Sequence, residues 1–310
     1  LRLAAVILSD IILGSTFVQE EIERERGVIL QGIGMCNDTP DDAVFDNFQH
    51  QAFPNQPLGR DILGTVETVS NMQRADFQNF VKEHYHTGNM MIAVAGNVEP
   101  KELFALLENS FNSVAKGQKS VSEAGLYKGG KHVERRDLEQ ANVLLGYQSL
   151  KRGTQDCLAL DIWSNAVGGG MASPLFQEIR EKRGLVYSVY SFNSSFSDTG
   201  IFGVYAGCGE DGVDEVLKVT RDVLNDQAHT LSEDAFNRAK TQMSSGLRMG
   251  LESTEARMNR IASSYFVFDR YRELDEVLSA IESVTMEDAK AQAQKVLSTP
   301  ETLSLLGAVS

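Results

Sequence analysis

One pattern occurs twice in this chain and limits its possible folds more than any other feature. Val66-Glu67-Thr68-Val69 is echoed by Ile281-Glu282-Ser283-Val284. Each is followed by a helix-like stretch, Ala75 to Tyr85 and Glu287 to Leu297, and then by an apolar strand ending in Gly-x-Val, Met91–Val98 and Leu303–Val309. The four features keep their order, roughly 215 residues apart. Two copies of one unit imply two similar domains, which suits 310 residues at about 150 residues per domain. The second copy begins at the strand pair around His132–Asp137 and Ala141–Gln148, after a loop from Lys116 to Lys131. The expected organisation is a first domain over residues 1–115, a linker over 116–130 and a complete second domain over 131–310. A first copy of equal length would start about 81 residues before Leu1. The first domain is therefore expected to lack its leading strands and to leave apolar helix faces uncovered.

Local signals fill in these domains. Leu1–Leu13 reads as a short buried helix, and Thr16 with Gln19 forms a capping box for a long helix from Phe17. Helices are expected over Val66–Tyr85 and Pro100–Phe111, with a strand at Met91–Val98 between them. In the second half Thr154–Val167 is helical. Ser173-Pro174 and Gly184 bracket a short helix, Leu175–Arg183. Leu185–Asn193 and Ile201–Ala206 read as strands around the turn Ser197-Asp198-Thr199-Gly200. Four helices are expected from Val213 to Leu297, with caps at Ser253 and at Thr285 with Asp288. Helices on one face of a mainly antiparallel sheet give an α+β class.

Composition excludes several functions. A net charge of −14 disfavours a nucleic-acid backbone or an anionic membrane as partner. Three widely spaced cysteines, Cys36, Cys157 and Cys208, form no CxxC pair, which points to a reducing, cytoplasmic setting without a disulfide framework. The most apolar run, Leu3 to Leu13, is interrupted by Ser9 and Asp10. It is too short to span a membrane, which takes about 20 apolar residues, and it lacks the marks of a signal peptide.

Chemistry-bearing residues are sparse. Val18, Ile22, Glu25, Ile29 and Gly32 share one helical face. A carboxylate there is either buried against a cation or lies on a solvated helix edge, and spacing alone favours the solvated edge. His84 and His86 close a helix, where histidine complements the dipole. Gly168-Gly169-Gly170 lacks the Lys-Ser/Thr of a phosphate loop and follows a helix instead of a strand.

The segment Glu23-Arg24-Glu25-Arg26-Gly27-Val28-Ile29-Leu30-Gln31 resembles the helix that follows the HxxEH zinc motif in the M16 metallopeptidases, the insulinase, pitrilysin and processing-peptidase family. Phe176 to Ser188, with Arg180 and Tyr187, resembles the Arg…Tyr segment of that family's C-terminal half. The likeness spans essentially the whole chain, is closest to bacterial processing-peptidase-like members, and implies two M16-type half-domains, the first truncated. The family holds zinc with two histidines and a glutamate, the motif's own Glu being the general base. HxxEH is absent here: the five histidines are His50, His84, His86, His132 and His229. The third ligand falls on Gly32, and Glu25 resembles the supporting carboxylate of what would be the former zinc-site region. The resemblance casts Arg180 and Tyr187 as donors to a substrate carbonyl. The alternative is a surface Arg and a packed strand Tyr. No catalytic residue, metal site or cofactor is expected in this chain alone. The resemblance implies a pseudopeptidase or non-catalytic partner subunit: a homodimer, or a heterodimer with a zinc-bearing M16 chain, with peptides as further partners. The alternatives are a zinc endopeptidase whose HxxEH-bearing part is missing from this sequence, and a structural scaffold like the M16-derived core subunits of the respiratory bc1 complex.

Overall fold

The computed structural model describes residues 1–309 and confirms the α+β class. The chain divides into two compact units that interleave in sequence. One comprises Leu1–Gly34, Leu63–Glu123 and Gly250–Phe266, and the other comprises Met35–Ile62, Ala124–Met249 and Val267 onward.

The second unit carries a five-stranded sheet. Its strands are β1 (Gly130–Arg135), β2 (Ala141–Ser149), β3 (Val186–Ser195), β4 (Gly200–Cys208) and β5 (Glu301–Gly307), in the order β1-β5-β2-β4-β3. Only β1 and β5 run parallel. The expected pair β1 and β2 is split by β5, which bonds to both. A mid-sheet position suits β5, because Thr302 to Gly307 are all buried.

β2 and β4 read as near-continuous apolar runs because both of their faces are covered. Val143, Leu145, Phe202, Val204 and Ala206 face a large core with Leu160 and Trp163 of α7 (Gln155–Gly168), Val216 of α8 (Val213–Thr230) and Ala289 of α12 (Met286–Leu297). The alternate residues Leu144, Ile201, Tyr205 and Leu306 pack with Val44, Phe48 and Ala52 of α3 (Pro40–Ala52). This corrects the one-faced arrangement. The helix responsible, α3, was also missed, although Thr39-Pro40-Asp41-Asp42 places Pro at N1 and two acids in the first turn. Gly146 makes room for it: a Cβ there would lie 2.6 Å from Phe48 Cζ.

Five helices, not four, run from Val213 to Leu297. Between α8 and α12 lie α9 (Glu233–Gly250), α10 (Thr254–Phe268) and α11 (Leu274–Ser283). Leu231-Ser232 separates α8 from α9, and Ser232 Oγ accepts from the Ala235 N–H at 3.2 Å. Thr285 and Asp288 form the expected capping box. The short helix after Ser173 is wound as a π-turn over Phe176–Glu181. Gly184 closes it at φ +65°, and the Leu185 N–H reaches back six residues to the Ile179 carbonyl at 3.0 Å.

The first unit is helical: α1 (Arg2–Leu13), α2 (Gln19–Asp38) as far as Gly34, α4 (Val66–Asn71), α5 (Arg74–His84), α6 (Pro100–Phe111) and the start of α10. The Val66–Tyr85 stretch breaks at Met72-Gln73. The expected Met91–Val98 strand is irregular; a strand is held by lateral hydrogen bonds, and no strand is found beside it among this unit's described residues. Nor is α1 a buried helix. Only Ala5 is buried, while Leu3, Val6, Ile7 and Ile11 face outward.

α2 begins at Gln19, because Phe17 takes φ +48° and stacks on Phe77 at 5.9 Å, so the Thr16 capping box does not form. Of the face shared by Val18, Ile22, Glu25, Ile29 and Gly32 only Ile22 is buried, so the solvated edge that spacing favours is what forms. Ile22 and Ile33 are buried, and Arg26 lies between them, donating to the carbonyls of Val69, Ser70 and Met72 at the end of α4. Three carbonyls at a helix C-terminus compensate the charge, so Arg26 turns inward and Glu25 is exposed.

Candidate functional site

Gly32, the position that the resemblance assigns to the third ligand, lies in the penultimate turn of α2. A Cβ added to Gly32 would meet only Leu63 Cδ1, at 3.7 Å, and the residue has ordinary helical φ. Neither packing nor backbone requires glycine there. Gly32→Ala should therefore raise stability by about 1 kcal/mol; a melting curve for the variant at or below that of the parent would refute this.

Glu25, one carboxylate on an exposed turn, is the remaining member of that region. Among the described residues no three His, Cys, Asp or Glu side chains converge as metal ligands. A Glu with no histidine partners does not fit the donor set of a catalytic zinc.

His84 ends α5. His86 accepts from the Gly88 N–H at 3.1 Å and meets Asn89 Nδ2 at 3.3 Å. The ring is used locally to shape this turn. Gly168 of the glycine triplet serves close packing, since a Cβ would lie 2.6 Å from Ser191 N on β3.

Arg180 and Tyr187 stand on consecutive elements of the second unit. Arg180 is the fifth residue of the π-turn, and its guanidinium sits 4.9 Å from the centroid of the Phe176 ring. Tyr187 is the extra residue of a β-bulge. Val186 pairs with Cys208 and Ser188 with Gly207, so Tyr187 has no partner on β4 and is 71% exposed. Bulges of this kind re-aim a side chain. Both groups are donors, and neither forms a hydrogen bond with any described residue. Both stand at the N-terminal end of β3, an edge strand whose one strand neighbour among the described residues is β4.

Sequence reasoning missed the polar-aromatic patch beside this edge. Tyr190 and Tyr205 approach at 5.2 Å, and the Tyr205 hydroxyl donates to Asn142 Oδ1 at 2.7 Å. Burial pushes Tyr205 up to about 12, so it stays a neutral donor. The signal was available: Ser188, Tyr190 and Phe192 alternate along β3.

Comparison with known proteins identifies the family of the chain. A family model described as the peptidase M16 inactive domain matches residues 71–243, and one described as insulinase (peptidase family M16) matches residues 2–66. An uncharacterized zinc protease of Streptomyces coelicolor is 38% identical, the match covering 99% of this chain and 69% of that protein. One from Rickettsia felis is 36% identical over 97% of this chain and 73% of its own length. Among solved structures, a peptidase M16 inactive domain from Pseudomonas fluorescens has a TM-score of 0.90 at 20% identity, covering 98% of this chain and 74% of that one. A chain of complex III from Candida albicans has a TM-score of 0.86 at 21% identity, covering 99% and 76%. With this sequence similarity across nearly its whole length, the chain belongs to the M16 (insulinase) peptidase family.

Proposed function

We propose that this chain binds extended polypeptide without hydrolysing it, either as a pseudopeptidase or as the non-catalytic partner of a zinc-bearing M16 chain. The observation that carries this reading is the contrast between its two regions. Arg180 and Tyr187 are exposed, uncommitted donors beside a free sheet edge, while the ligand position holds Gly32. A peptide that adds to β3 gains main-chain hydrogen bonds from the edge, and the two donors are placed to take its carbonyl oxygens. On this reading residues 1–115 are an incomplete copy of the domain formed by 131–310. The uncovered face of α1 makes the chain a homodimer, or a heterodimer with a related subunit.

Titration with a fluorescent eight-residue peptide of alternating Val and Ser tests the binding. Arg180→Ala and Tyr187→Phe should each weaken it about fivefold to tenfold without moving the melting temperature. Wild-type binding that neither substitution affects would contradict the assignment.

A second reading has its own support. Relatives named zinc proteases are longer, this chain spanning 69% and 73% of two of them. A zinc endopeptidase whose HxxEH segment lies outside this sequence would share the β3 edge but would still meet Gly32 at the third ligand. The likeness to a complex III chain supports a scaffold only at the level of fold.

A further inference from the structure

At the end of β3 remote from Tyr187 lies a polar cavity of about 700 Å³. Its walls are the turn before α7, the last residues of β3, the segment between α10 and α11, and the start of α11. Tyr187 and Ser195 are eight residues apart, about 26 Å along a strand. An extended peptide of eight or nine residues on this edge would run from the bulge to the cavity.

The cavity is locally basic in an acidic chain. Arg152, Arg270 and Arg272 all line it. Arg270 and Arg272 share the single carboxylate of Glu276, at 2.5 and 2.9 Å. Those guanidiniums hold Glu276 down at about 2, so it stays ionised. Arg272 is further held by stacking on Phe268, at 4.7 Å from its ring centroid. Arg152 donates through Nε to the Ser195 carbonyl at 3.0 Å, which ties it to the last residue of β3. Its two Nη groups form no hydrogen bond with a described residue.

The floor does not neutralise Arg152. Asp161 lies there, but its Oδ1 accepts from Asn193 Nδ2 at 2.6 Å, and no basic side chain pairs with it. Burial pushes the Asp161 carboxyl up, toward its uncharged form. The first turn of α7, whose Thr154 cap accepts from the Cys157 N–H at 3.1 Å, adds the positive end of a 14-residue helix.

We propose that this cavity binds a carboxylate of a polypeptide lying along the free edge of β3, with the Arg152 guanidinium as its principal ligand; this rests on the reading of β3 as a polypeptide-binding edge. The carboxylate comes from the peptide's C-terminus or from an acidic side chain near it. A planar fork fixed through Nε leaves its Nη donors for an oxyanion. The shared edge of β3 makes a peptide the occupant favoured over a free small anion.

Three labelled eight-residue peptides of alternating Val and Ser separate the possibilities. One ends in a free carboxylate, one in an amide, and one in an amidated Glu. In anisotropy titrations at low ionic strength, the carboxylate-bearing peptides should bind about tenfold more tightly than the plain amide. Arg152→Ala should abolish that preference, and Arg152→Lys should retain part of it; Arg152 is exposed, so both variants should fold. Preference for the free terminus alone marks a C-terminal site, whereas preference shared by the Glu peptide marks an acidic-residue site; either supports the proposal. Equal affinities for all three, or a preference that survives Arg152→Ala, overturns the cavity assignment and leaves the β3 reading standing. Binding of none overturns both.

Discussion

Phe48→Ala should destabilise the sheet-bearing unit by about 3–5 kcal/mol, as expected for truncating a fully buried Phe. Phe48 is 2% exposed and lies over Gly146 of β2, within the cluster formed by α3 and the second face of the sheet. The converse substitution has the same target. Gly146→Val would push into the ring and should cost about 1–3 kcal/mol by overpacking. Denaturant unfolding of both variants, with unchanged slopes, measures these directly. A loss below 1 kcal/mol for Phe48→Ala would mean that α3 does not cover the sheet as described.

Self-association should be the second large effect. Leu3, Val6, Ile7 and Ile11 of α1 are between 48% and 71% exposed, and they follow helical spacing. At roughly 25 cal/mol per Å², burying about 800 Å² of apolar surface is worth on the order of 20 kcal/mol before ordering costs. The net charge of −14 opposes association, but exposed charges are screened over about 8 Å at physiological salt. Burial should win, and a twofold dimer is the commonest closed assembly. Light scattering at micromolar concentration should show a dimer that Ile7→Asp or Ile11→Asp shifts toward monomer. A monodisperse 34.1 kDa species from the parent chain would contradict this.

The elements read most clearly in the sequence were those whose ends carry their own chemistry. Pro100 opens α6, Thr154 caps α7 and Thr285 with Asp288 caps α12, so these helices lie where their punctuation places them. The strands of the second unit were legible from alternation and turns. The misses are tertiary. Met91–Val98 has strand-like residues but no neighbouring strand among the described residues, and β propensity without a partner does not make a strand. The second face of the sheet was hidden because α3 is distant in sequence from β2 and β4.

The site divides in the same way. Arg180 and Tyr187 were legible by resemblance, but the bulge that frees Tyr187 depends on the register of β4. Spacing favoured a solvated edge for Glu25, and Glu25 is exposed, but spacing gave no sign that Arg26 turns in. That was decided by three carbonyls at the end of α4, more than 40 residues away. The Arg152 cavity gave no sequence signal, since its walls come from three stretches of chain far apart in sequence.

The proposed role is that this chain holds polypeptide but does not cut it. The most direct test measures zinc by elemental analysis together with hydrolysis of a fluorogenic peptide mixture, on the purified 310-residue chain with and without chelator. Zinc should be well below one ion per chain, with no chelator-sensitive cleavage and with Gly32→Glu failing to restore either. One tightly held zinc per chain, with hydrolysis abolished by the chelator, would contradict it.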